Sequence, residues 1–114
     1  MSNTLWILEE NQSTDTWDHS AIIDEIKYLD ALCIQLKLSK LSTYFDESIL
    51  AEEFGMDIKP KYFDAHILEE VLSSLLEKIK DSTNLELIDE LKDILEKSIS
   101  AKEKNIKVRL ALVP

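Results

Sequence analysis

The chain has 114 residues, 45% of them hydrophobic and 32% charged, and a formal net charge of −10. This length suits one domain with one core, and the apolar content is enough to offset chain entropy, which excludes a disordered chain. Nucleic acid and anionic membrane are repelled by such an acid excess and a basic partner is attracted, although many proteins are acidic for solubility alone.

No apolar run approaches the roughly 20 residues of a membrane span. The opening residues carry no basic leader, and acids follow their short apolar stretch at once, so a signal peptide is not expected. The one cysteine, Cys33, cannot form an internal disulfide. Together these features predict a cytoplasmic protein in a reducing compartment.

In chain order, residues 5–8 are short and β-prone and predict a strand, with Leu5 and Ile7 on one face and Trp6 and Leu8 on the other. Residues 11–16 are polar and predict a loop. From about Asp18 the period changes. Ile22, Ile26, Leu29, Cys33 and Leu36 recur at helical spacing, which predicts one helix ending near Leu38. Leu41, Tyr44 and Phe45 predict a turn packed on the core. Residues 49–54 predict a short helix ending at Gly55, the only glycine. Pro60 forces Lys59 into an extended connection.

The apolar stripe Ile67, Leu68, Val71, Leu72, Leu75, Leu76 and Ile79 predicts a helix with Asp64 at its N-cap. Residues 81–84 predict a break. Thr83 and Glu86 match capping-box spacing and open a helix that carries Leu87, Ile88, Leu91, Ile94, Leu95 and Ile99. Two helices so closely joined predict an αα-hairpin. Val108, Leu110 and Leu112 then alternate with Arg109, Ala111 and Val113, which predicts a second strand. A lone strand leaves its backbone groups unpaired, so the strands at the two chain ends are expected to pair. The predicted fold is α+β, predominantly α: a helical bundle with an αα-hairpin and a small sheet from the N- and C-terminal strands, as a single domain over residues 1–114.

Charge is unevenly placed along this framework. Residues 1–26 hold Glu9, Glu10, Asp15, Asp18, Asp24 and Glu25 and no lysine or arginine, and residues 41–58 hold Asp46, Glu47, Glu52, Glu53 and Asp57, again without a base. Residues 97–109 carry Lys97, Lys102, Lys104, Lys107 and Arg109 against Glu103 alone.

No catalytic constellation is visible. Cys33 lies on an apolar helical face, where desolvation blunts a thiol. His19 and His66 are far apart in sequence and belong to no HExxH pair or Cys/His cluster, so a shared metal site would need the fold to bring them together. One glycine excludes the P-loop and dinucleotide fingerprints, and no EF-hand series exists. Acid pairs such as Glu52-Glu53 and Glu69-Glu70 read as solvated helix faces. No catalytic residue, metal ligand or cofactor is therefore expected. The aromatics cluster in the first 63 residues. Most belong in a core, but Trp17 and the Tyr44-Phe45 or Tyr62-Phe63 pairs standing among acids would make interface anchors.

Trp6, Trp17-Asp18, Tyr44-Phe45-Asp46, Tyr62-Phe63-Asp64 and the closing Arg109-Leu110-Ala111-Leu112-Val113-Pro114 give the chain the character of small bacterial proteins. In size, acidity and lack of catalytic motifs it resembles the immunity proteins of bacterial toxin systems. This likeness is one of general character and transfers no functional residue. It implies a non-catalytic protein that neutralises a cognate toxin, a basic protein domain, with neither nucleic acid nor membrane as partner. The expected contact residues are Asp15, Trp17, Asp18, Tyr44, Asp46, Glu47, Glu52 and Glu53, and charge reversal at Asp46 and Glu47 is expected to slow binding. The alternative is a structural or adaptor protein acting as a homodimer through the hairpin or a strand edge.

Overall fold

The computed structural model describes residues 4–9 and 18–113. It is an α+β protein in which helix predominates. The elements run β1 (Thr4–Glu9), α1 (Ser20–Asp24), α2 (Ile26–Gln35), a 3-10 turn (Leu41–Tyr44), β2 (Phe45–Asp46), α3 (Ser48–Glu53), β3 (Phe63–Asp64), α4 (Ala65–Ile79), α5 (Leu85–Glu103) and β4 (Lys107–Val113).

The two chain ends do pair. β1 runs antiparallel to β4, with Leu5 opposite Leu112 and Ile7 opposite Leu110. The other edge of β4 is shared by two strands of two residues each. β2 lies parallel to it, with Phe45 opposite Leu110, and β3 lies antiparallel, with Phe63 opposite Val108. β4 is therefore the centre of a mixed four-stranded sheet. β2 and β3 are too short to show a two-residue period, so the sequence signals only β1 and β4.

Alternation divides the sheet into two faces. Leu5, Ile7, Val108 and Leu110 face the main core, where they meet Leu29, Leu68, Leu72, Leu75, Leu87, Leu91 and Ile94. On the opposite face Ala111 and Val113 are also buried, and α3 packs against β4 there. A strand covered on both faces reads as a nearly continuous apolar run, as the end of β4 does.

α4 and α5, joined by residues 80–84, pack along each other as the expected hairpin. The cap of α5 differs from expectation: Asn84, not Thr83, is the N-cap, and its Oδ1 accepts the Leu87 N–H at 3.2 Å. Asp64 does stand at the N-cap position of α4, but its side chain makes no cap hydrogen bond. The single helix expected over residues 18–38 is broken at Glu25. The break has a packing cause: α1 packs on β1 and α5, whereas α2 packs on α4 and the 3-10 turn, so the axis must turn between them.

Candidate protein-docking surface

Between β2 and β3 the chain makes an excursion through α3 and an irregular strap, residues 56–62. The start of α3 is built by Asp46, whose carboxylate accepts the Ser48 N–H and the Ser48 Oγ–H, each at 3.0 Å. α3 ends in a Schellman motif. Gly55 takes φ +73, its N–H donates to Glu52 O, and the Met56 N–H donates to Ala51 O.

Arg109 of β4 anchors both ends of the excursion. Its Nη1 donates to Asp46 Oδ2 at 2.9 Å and to Ser48 Oγ at 3.2 Å, and its guanidinium carbon stands 5.5 Å from the centre of the Tyr62 ring. Lys61 fixes the strap to the 3-10 turn by donating to Thr43 O at 2.7 Å.

The excursion carries an apolar patch on its outside. Phe54 is 80% exposed, Met56 56% and Ile58 44%. With Glu47, Leu50 and Ala51 these residues line a groove of about 280 Å³. A second groove, of about 430 Å³, lies on the other side of the strap between Ile58, Lys59 and Lys61 and the segment from Ser42 to Glu47. Single exposed apolar residues are ordinary on protein surfaces, but several brought together on one segment are not.

The fold also redistributes the charge. Among the described residues, four of the five bases between Lys97 and Arg109 pair with acids. Lys97 pairs with Asp93 at 2.9 Å, Lys104 with Glu9 at 3.5 Å, Lys102 with Glu69, and Arg109 with Asp46 at 2.9 Å. By contrast Glu47, Glu52, Glu53 and Asp57 are exposed and make no ion pair among the described residues. Acids thus flank Phe54, with the exposed Lys59 and Lys61 farther along the strap.

Two of the expected contact residues are corrected by this geometry. Tyr44 is 8% exposed and packs edge-on against Phe63, 4.9 Å between ring centres. It is a core residue, because the 3-10 turn points it under the sheet edge. Asp46 is 1% exposed and holds Arg109, so charge reversal there would break the fold before it altered a surface. Glu47, Glu52 and Glu53 remain together on the surface, and Asp18 is exposed elsewhere, beside α1. Asp15 and Trp17 lie outside the described residues. Phe54, Met56 and Ile58 are not among the expected contact residues. Their one signal was an aromatic beside the sole glycine within a base-free acidic stretch.

Cys33 and His19 lie in the interior, and His66 on the surface. Burial pushes the Cys33 thiol up, with Asp30 adding to the effect and the Leu41 backbone opposing it. His19 is buried completely. Its Nδ1 lies 3.0 Å from Leu5 O and its Nε2 2.7 Å from Asp93 Oδ2, so both ring nitrogens are engaged by acceptors. His66 instead lies exposed in a depression with Asp64, Lys102, Asn105 and Lys107. Among the described residues no group of three His, Cys, Asp or Glu side chains could hold a metal ion, and no helix is long and apolar enough to cross a membrane.

No protein-family model, curated protein or solved structure matches the chain.

Proposed function

We propose that this chain is a non-catalytic protein-binding module that neutralises a basic partner, most concretely an immunity protein that occupies a cognate bacterial toxin. The observation that carries the reading is the set of four exposed, unpaired carboxylates, Glu47, Glu52, Glu53 and Asp57, gathered around the exposed Phe54. Exposed charges of one sign raise the rate of encounter with an oppositely charged surface, and a central aromatic supplies the short-range energy that holds it.

The test begins with the protein encoded directly upstream, expressed and purified, and measures association by stopped flow at several ionic strengths. Glu52→Lys combined with Glu53→Lys is expected to slow association about tenfold at low salt, with the difference shrinking as salt screens the charges. Both positions are exposed, so the fold should be unaffected. Association rates independent of both salt and the double substitution would overturn the electrostatic reading.

A further inference from the structure

We infer that the groove between α3 and the strap is a socket for one apolar side chain of the partner, flanked in that partner by arginine or lysine. This rests on the protein-binding reading above and adds what fills the surface.

Size is the first support. Pockets that enclose small molecules run to about 300–1,000 Å³. This groove is about 280 Å³, and Phe54 and Met56 in its wall are themselves more than half exposed. Such a shallow, open space can seat a side chain that remains attached to a larger surface. Charge is the second. Glu47 forms part of the groove wall, and Glu52, Glu53 and Asp57 lie within a few residues of Phe54 on the same exposed segment. An apolar group flanked by cations meets complementary charge there, whereas one flanked by acids meets repulsion.

The third support is rigidity. The Schellman hydrogen bond from Met56 to Ala51 holds one wall against the other, and Arg109 ties Asp46, Ser48 and Tyr62 to the central strand. A socket held open before binding loses less entropy when it is filled. Anchors of this kind, seated in a small pocket inside a charged rim, concentrate the energy of protein interfaces.

Three synthetic peptides test the inference on the full chain. One has a leucine flanked on each side by two arginines, the second has serine in place of leucine, and the third has glutamates in place of the arginines. Binding is followed at low salt by backbone and methyl NMR shifts. The leucine–arginine peptide is expected to bind at least tenfold tighter than the serine peptide and to shift Leu50, Phe54 and Met56, while the glutamate peptide leaves the spectrum unchanged. Phe54→Ser, at a position 80% exposed, should abolish the preference for leucine without moving the melting midpoint.

Equal binding of the leucine and serine peptides, or shifts confined to other surfaces, would overturn the socket while leaving the acidic reading intact. Failure of both arginine peptides to bind would overturn the two together. A concentration-dependent mass that Phe54→Ser abolishes would put a second copy of this chain in the groove, and would overturn the assignment to a basic partner.

Discussion

Three helices of this protein end on the same local geometry with three different residues. Lys37, Gly55 and Asn105 all take positive φ, at 60, 73 and 58, and after each the next N–H reaches back to Cys33 O, Ala51 O or Ala101 O. The left-handed conformation costs an L-residue roughly 1–2 kcal/mol and glycine almost nothing. Lys37→Gly should therefore raise stability by about 1 kcal/mol, and Gly55→Ala should lower it by a similar amount even though no atom lies within 4 Å of the added methyl. Urea unfolding of both variants checks the pair of opposite signs, and equal signs would refute the account. Asp46 is the residue with most to lose. Removing it strands the Arg109 guanidinium, only 16% exposed, and takes two hydrogen bonds from Ser48. Asp46→Ala should cost about 3 kcal/mol by the same measurement.

At the scale of elements, the short helix α1 is held by a side chain from α5. The Glu90 carboxylate accepts the N–H groups of Ala21 at 3.2 Å and Ile22 at 3.1 Å, which satisfies donors that a helix start leaves open. Its burial raises its pKa above the ordinary 4.5. The hydrogen bonds from Ile22 and Ala21 and the charge of His19 oppose that rise, and Glu86 adds to it. A carboxyl group raised in the folded state holds its proton where the unfolded chain has already released it. Stability from this group is therefore greatest at acid pH, falls as pH rises from about 4.5 through the raised value, and is level above it. Glu90→Gln should remove that slope, at the cost of setting an amide N–H₂ against one of the two α1 donors. Unfolding free energies of both proteins between pH 4.5 and 8 decide the matter, and a difference between them that does not vary with pH would refute it. Nothing in the helical spacing of residues 18–38 announces this tie or the break at Glu25, because the tie comes from a residue about 70 positions away and the break from packing against separate elements, β1 and α5 on one side and α4 and the 3-10 turn on the other.

At the scale of the molecule, β4 carries the design. Among the described residues it alone touches all three other strands, it faces the main core with Val108 and Leu110, and on its other face it holds the α3 excursion through Arg109. A chain ending at Asn105 should lose its cooperative thermal transition, since each remaining strand would be left without a neighbour. Retention of a sharp transition by circular dichroism would show that the helices form a self-sufficient bundle. The charge pattern also resolves only at this scale. The C-terminal segment is locally basic in sequence, yet Lys102, Lys104 and Arg109 pair with acids from other elements and Lys97 with Asp93 of its own helix. What faces solvent around α3 is the acid left over.

Period is what can be read from the sequence of this protein. The stripes of α4 and α5, the alternation of β1 and β4, the single glycine ending α3 and the acid-rich stretch around it all follow from local spacing and backbone preference, and these settled the fold class and two of the four strands. Tertiary structure alone decided the rest, because pairing across a long chain separation leaves no periodic mark. Arg109 reaches Asp46 from 63 residues away, the two-residue strands exist only because β4 offers them an edge, and Tyr44 rather than Phe54 is turned inward because the 3-10 turn packs on α2 and Tyr44 meets Phe63 of β3. Which aromatic among the acids is buried and which is left outside depends on what the chain folds against, and that choice places the candidate surface on α3 and its strap.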